Sequence, residues 1–138
     1  MKYQNFTTKL FQRYIGEKDI RSFKGNVFYY LYYRLSRLFF NKPLKVKINN
    51  LNLYSNHKRN KSSHSLLQKC NFFDVTEIAT IKKLNTINNL LLIDCGCNFG
   101  YYSFYTASLS SLNEVISIEA STSTLEEFND NLKINNFN

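Results

Sequence analysis

Leu90–Gly100 reads L-L-L-I-D-C-G-C-N-F-G, an apolar run that stops at an acid and passes into a turn with two glycines. An unbroken run of branched apolar residues is typical of a strand buried in a parallel sheet. The residues that follow, Tyr101–Leu109, can continue as a helix. A buried strand that leads through a glycine-containing turn into a helix is the outline of a cofactor-binding loop.

Two capping patterns mark the starts of helices on either side of this loop. Asp74 and Glu77 predict a helix over residues 75–84, with Asp74 as N-cap and Glu77 reaching back to it. Ser123 and Glu126 have the same spacing and predict a C-terminal helix. The apolar residues expected to face inward on these two helices are Ile78, Ile81, Leu84, Leu125, Phe128 and Leu132.

A second short apolar segment, Val115–Glu119, also ends in an acid. The order along the chain is therefore strand, helix, strand and helix. Two strands joined by a helix pair in parallel, with a right-handed crossover. The sequence thus predicts an α/β fold whose first βαβα unit carries the loop.

The residues before the βαβα unit predict a helix that is followed by a β-hairpin. Residues 26–40 form an amphipathic pattern with arginines on its polar face, which suits a helix in a membrane interface and suits equally a helix packed on the domain. We favour packing, because covering a core is the commoner use of such a helix. Pro43 ends this pattern, and Lys45–Ile48 and Leu51–Tyr54 alternate with period two on either side of a turn, which predicts a β-hairpin. A polar loop over 55–65 follows.

The charge of the chain is strongly polarised. The 138 residues carry a net charge of +8, with +12 on residues 1–61 and −4 on residues 62–138. A basic arm indicates an anionic partner such as a membrane, nucleic acid or a glycan phosphate. The abundance of Asn, Lys, Ile, Phe and Tyr is equally typical of A/T-rich codons, which would supply lysine without any partner.

Cysteine usage and the absence of a leader pattern indicate a cytoplasmic protein. The three cysteines are an odd number without framework spacing, which favours a reducing compartment. Cys95 and Cys97 lack a second Cys/His pair at ligand spacing, so no metal site is predicted. Val27–Phe40 is too short to cross a bilayer, although peripheral membrane contact through the basic arm stays open.

The loop and the two acids suggest the chemistry of the ligand. Gly96 and Gly100 let the backbone approach a ligand closely, and the amides at the start of the next helix favour an anionic group. In a parallel pair, Glu119 comes to the same edge of the sheet as Asp94, where its carboxylate can accept two hydrogen bonds from ribose hydroxyls. Together these features imply a nucleoside cofactor with an anionic end.

The details of the loop favour one such cofactor. The dinucleotide fingerprint G-x-G-x-x-G and the phosphate-binding G-K-[ST] are both absent from the sequence. An acid at Asp94 would repel a pyrophosphate but attract the ammonium of an amino-acid tail. S-adenosylmethionine has such a tail, with a carboxylate and a cationic sulfonium besides.

Three segments then resemble the FkbM family of S-adenosylmethionine-dependent methyltransferases: D-C-G-C-N-F-G-Y-Y-S over 94–103, V-I-S-I-E-A over 115–120 and N-L-K-I-N over 131–135. The resemblance covers residues 72–138 and implies a Rossmann-like class I methyltransferase fold. It departs from the usual pattern at Cys97, where alanine is usual, and at Ala120, where proline is usual. It implies that a loop shaped by four residues binds the cofactor and that a fifth holds the ribose; these are Asp94, Gly96, Asn98, Gly100 and Glu119.

Each of these residues also has a purely structural interpretation. Asp94 could cap the turn, Asn98 could be a turn residue in the left-handed region, and Glu119 could be a first-turn acid of the next helix. All of them together, in the spacing of one family, favour the cofactor site.

The family fold has a larger parallel sheet, of which this sequence supplies the first two strands. We therefore expect an arm over 1–42, a hairpin and loop over 43–71, and the N-terminal part of a methyltransferase domain over 72–138. This fragment should be inactive alone, since the residues that would hold the methyl acceptor are missing. The acceptor implied by the family is an oxygen of a sugar, lipid or natural product, and no specific nucleic acid is expected.

Two alternatives stay open. One is a basic membrane- or nucleic-acid-binding module that carries a remnant βαβ unit. The other is a nucleotide-binding half-domain that is completed by a partner chain.

Overall fold

The computed structural model describes residues 43–55, 62–63, 66 and 74–137. The basic arm over 1–42, with its predicted helix at 26–40, lies outside the described residues, as does most of the polar loop. The chain divides into two compact units, 1–48 with 54–73, and 49–53 with 74–138. The second unit contains the loop that follows the apolar run.

The predicted hairpin is confirmed. Strands β1 (Leu44–Ile48) and β2 (Leu51–Ser55) form a two-stranded sheet joined by a two-residue turn. Asn49 in the turn has φ +53°, a left-handed conformation that asparagine tolerates better than most residues. Leu51 and Leu53 of β2 are buried on one side, as period-two alternation predicts.

The second unit contains helix α1 (Val75–Asn85), strand β3 (Leu91–Cys95), helix α2 (Tyr101–Leu109), strand β4 (Glu114–Ile118) and helix α3 (Thr122–Ile134). Strands β3 and β4 pair in parallel, with Asp94 opposite Ser117. The fold is therefore α/β, in the predicted order of elements. Each strand differs from its predicted bounds by one residue, so that Glu119 follows β4 directly instead of ending it.

The predicted caps are corrected by the structure. Asp74 precedes α1 but makes no side-chain cap bond, because its carboxylate accepts a 2.6 Å hydrogen bond from the Tyr102 hydroxyl. Its backbone N–H donates to the Tyr101 hydroxyl at 3.3 Å rather than to Glu77. The N-cap of α3 is Ser121, two residues before the predicted cap Ser123, and its side chain accepts from the Thr124 N–H.

Among the described residues, one face of the sheet of β3 and β4 is covered by another element and the other face is not. Leu92 and Val115 are half-buried on the face toward α2, whereas the opposite face exposes half or more of each apolar side chain. These exposed residues are Leu91, Ile93, Ile116 and Ile118. The predicted buried strand is therefore only partly buried, because no described element packs against the second face of the sheet.

Aromatic residues around α2 form the core of the second unit. Phe104 is 2% exposed and its ring stacks on Phe128 and Phe137, with centroid separations of 4.9 and 5.8 Å. The inward face of α3 differs from the prediction, because Leu125 is exposed while the polar Asn131 is fully buried. A hydrogen bond from Asn131 to the loop after β3 sets this orientation.

Helix α1 packs less deeply than its apolar stripe predicts. Ile78 and Ile81 are half-buried, but Leu84 is exposed, and α1 has no buried residue. None of the helices in the described ranges combines the length and the apolar character that crossing a bilayer requires.

Candidate functional site

The loop after β3 begins as an extension of the sheet and then turns sharply. The N–H groups of Gly96 and Cys97 both donate to the Ile118 carbonyl, at 2.8 and 3.0 Å. Three positions in the loop have positive φ: Gly96 at +79°, Asn98 at +55° and Gly100 at +88°. Left-handed residues at alternate positions turn the chain away from the sheet and into α2, as the glycines and the asparagine predict.

The two glycines have different surroundings. A Cβ built on Gly100 would clash with the ring of Phe104, at 2.8 Å from Cζ and closer to two other ring atoms. A Cβ built on Gly96 would meet no atom within 4 Å. Gly100 is therefore required for packing, whereas Gly96 leaves its side of the backbone open to an approaching molecule.

Glu119 ties the loop to the start of α3. Its Oε2 accepts the Asn98 N–H at 2.9 Å and its Oε1 accepts the Ser121 N–H at 2.8 Å. These backbone bonds, that of Ser121 above all, lower the pKa of Glu119, so the side chain is ionised at neutral pH. The Ala120 N–H lowers the pKa as well. An ionised carboxylate has about four acceptor positions, so it can still accept from a further donor.

Asp94 bonds to Ser103, and Ser103 bonds to Ser117; neither serine is predicted from the sequence as a site residue. Its Oδ2 accepts a 2.6 Å hydrogen bond from the Ser103 hydroxyl, which in turn accepts from the Ser117 hydroxyl at 2.8 Å. Ser103 closes the quoted motif nine residues after Asp94, and Ser117 is the one polar residue inside the apolar segment of β4. The position of each serine within its segment is the sequence signal that could have identified it as a site residue.

The structure places the five candidate residues at one edge of the sheet. Asp94 lies in β3 opposite Ser117, and Glu119 lies just beyond the end of β4. A hydrogen bond brings Glu119 to Asn98, while the Asp94 side chain turns toward α2. The interpretation of Glu119 as a first-turn acid of the next helix is wrong, because Glu119 precedes the N-cap Ser121 and accepts the Ser121 N–H from outside the helix.

The two asparagines of the N-L-K-I-N segment, Asn131 in α3 and Asn135 at its C-cap, bond to other parts of the unit. The buried Asn131 donates through Nδ2 to the Phe99 carbonyl at 3.0 Å. One turn later, the Asn135 amide accepts from the Asn52 N–H at 2.8 Å and donates to the Asn52 carbonyl at 2.7 Å. Helix α3 thus fixes both the loop after β3 and strand β2.

Three further observations bear on whether this edge of the sheet binds a metal ion or an anion. Burial, followed by the charges of Asp94 and Glu119, raises the pKa of the Cys97 thiol to about 11, so the thiol is protonated at neutral pH. In the stretches that the structure describes, no three His, Cys, Asp or Glu residues form a metal-binding group. Gly100 and Tyr101 are buried, which leaves less room for an anion at the start of α2 than the sequence predicts.

A hollow of about 550 Å³ lies at the other end of the sheet, near Val115 and the end of α3. Its lining is rich in serine and asparagine, and several of these side chains already bond to neighbouring backbone groups. The Asn113 side-chain amide, for example, donates to both Asn85 and the Thr106 carbonyl. The candidate site is therefore the opposite edge of the sheet, where the loop after β3 and the carboxylates of Asp94 and Glu119 lie.

The lowered pKa of Glu119 predicts how stability depends on pH. The native carboxylate binds a proton more weakly than the unfolded one, so its stabilising effect is complete above the ordinary pKa of 4.5 and is lost as pH falls through the lower native value. In urea unfolding, the stability that wild type holds over Glu119→Gln should be largest at neutral pH and shrink in acid. A difference that does not change with pH would contradict this assignment.

Compared with known proteins, the chain matches no family model, no curated protein and no solved structure.

Proposed function

We propose that residues 74–137 bind S-adenosylmethionine and that the protein is a methyltransferase of the FkbM type, Rossmann-like in fold. The proposed acceptor is an oxygen of a sugar, lipid or natural product. The observation that carries the proposal is the Glu119 carboxylate, held by the backbone N–H groups of Asn98 and Ser121, at a loop whose Gly96 has open space where a Cβ would lie.

The ribose fits Glu119. Both of its oxygens are fixed by backbone bonds, so the carboxylate is oriented before a ligand arrives and little side-chain freedom is lost on binding. The acceptor capacity that the backbone leaves open can be used by the hydroxyls of a ribose. The lowered pKa keeps the group in its accepting, ionised form at neutral pH.

The amino-acid tail fits Asp94. The Ser103 hydroxyl occupies Oδ2, and among the described residues no hydrogen bond reaches Oδ1. A half-buried carboxylate with one unengaged oxygen attracts an ammonium group and repels a phosphate. This preference distinguishes S-adenosylmethionine from nucleoside phosphates.

The bound cofactor would supply a methyl group activated by its sulfonium. Residues of this chain would bind and orient it, with Glu119 at the ribose, Asp94 at the ammonium and Gly96 allowing close approach. The Cys97 thiol stays protonated beside them and therefore does not compete for the methyl group as a nucleophile. No role toward the methyl acceptor is assigned to any described residue.

The test is binding rather than turnover, measured by calorimetry with S-adenosylhomocysteine, ATP and NAD. We expect S-adenosylhomocysteine to bind with a Kd below about 100 µM and at least about tenfold more tightly than either phosphate-bearing ligand. Glu114→Gln, at the far end of β4, should bind as wild type does. A folded protein that fails to bind S-adenosylhomocysteine, or prefers ATP or NAD, would refute the proposal.

A further inference from the structure

Three polar side chains from three different elements form a chain of hydrogen bonds behind the candidate site. Ser117 of β4 bonds to Ser103 of α2 at 2.8 Å, and Ser103 bonds to Asp94 of β3 at 2.6 Å. An ionised carboxylate only accepts, so the Ser103 proton must point to Asp94. Ser103 then accepts from Ser117, and the direction of both bonds is fixed.

The surroundings of this chain make it rigid. Ser103 is 2% exposed, so water does not compete for its hydroxyl. Its bond to Asp94 is short and charge-assisted, the class of hydrogen bond that is strongest in proteins. The Asp94 carboxylate is therefore locked in one orientation, with Oδ2 toward α2.

We propose that Ser103 and Ser117 are positioning residues that aim Oδ1 of Asp94 at the ammonium of the bound cofactor. The inference rests on the proposed function and deepens it, because it names the residues by which the site selects ligands with an amino-acid tail. Ser103 acts directly on Asp94, and Ser117 acts on Asp94 through Ser103, while its hydroxyl also faces the Cys97 thiol.

A purely structural role for the same bonds gives a different result. If the serines only hold α2 on the sheet, removing a hydroxyl weakens every ligand of the loop to a similar extent. If they aim Asp94, the loss is confined to ligands that carry the ammonium. Two nucleosides separate these cases: S-adenosylhomocysteine, which has the amino-acid tail, and methylthioadenosine, which lacks it.

The experiment compares the affinities of both nucleosides for wild type, Ser103→Ala, Ser117→Ala and the double variant. Ser103→Ala should bind S-adenosylhomocysteine about tenfold more weakly and methylthioadenosine within about twofold of wild type. Ser117→Ala should give a smaller loss of the same kind, and none when added to Ser103→Ala, because it acts in series. Ser108→Ala, on the exposed side of α2, is the matched control and should change neither affinity.

Equal weakening of both nucleosides, or no change in either, would overturn the positioning role while leaving the proposed function intact. Wild type that binds neither nucleoside would overturn both. Where Ser103→Ala does not fold, Ser117→Ala decides alone: weaker binding of S-adenosylhomocysteine with unchanged binding of methylthioadenosine supports the positioning role, and any other pattern overturns it.

Discussion

Replacing Gly100 by alanine should destabilise the second unit strongly, by about 2–5 kcal/mol. A non-glycine residue at φ +88° costs about 1–2 kcal/mol, and forcing a methyl group into a packed core costs about 1–3 kcal/mol more. Phe104 cannot make room, because its ring is buried and stacked against Phe128 and Phe137.

Thermal unfolding followed by circular dichroism measures this loss, with Gly96→Ala as the matched control. Gly96 has a similar φ of +79° but open surroundings, so its substitution should cost only the backbone term, about 1 kcal/mol. We expect Gly100→Ala to lower the melting temperature by at least about 10 °C and Gly96→Ala by about half that or less. Equal shifts for the two variants would show that the contact with Phe104 is unimportant.

Removing the Glu119 carboxylate should have the largest effect on ligand binding. Glu119→Ala removes the proposed acceptor of both ribose hydroxyls and also the bonds that hold Asn98 and Ser121. Because hydrogen bonds to charged groups are the stronger kind, we expect S-adenosylhomocysteine to bind at least about 100-fold more weakly. Calorimetry on variants that retain wild-type circular dichroism measures the effect.

Two controls separate the ribose contact from the support of the loop. Glu114→Ala removes an exposed acid from the other end of the same strand and should change the affinity by less than about twofold. Glu119→Gln keeps the shape and one acceptor oxygen, so its affinity should fall between those of wild type and Glu119→Ala. An affinity within about threefold of wild type in Glu119→Ala would remove Glu119 from the site.

The order of the elements and the shape of the loop could be predicted from the sequence. Apolar runs and helical spacing are local patterns, and they placed β3 and β4 within one residue of their bounds. The positive φ values at Gly96, Asn98 and Gly100 follow from residue type, since glycine and asparagine tolerate that conformation best. The shared edge of Asp94 and Glu119 followed from parallel pairing. The FkbM resemblance and its cofactor stay predictions.

The capping of α1 could not be predicted, although Asp74 and Glu77 have the right spacing. A capping box assumes that the N-cap side chain has no stronger partner, and Tyr102, 28 residues away in the sequence, provides one. The predicted inward face of α3 was wrong in part, because Phe128 and Leu132 are half-buried but Leu125 is exposed. Asn131 is buried because it bonds to Phe99, 32 residues before it, and hydropathy does not report such a contact.

By itself, the sequence determined the α/β order and the left-handed turn after β3, because periodicity and backbone preference are properties of neighbouring residues. Only the tertiary structure decided which hydroxyl faces Asp94, which amides hold Glu119 and which face of the sheet is covered. Those features depend on how α2 and α3 pack against the strands, and contacts between residues distant in the chain set that packing.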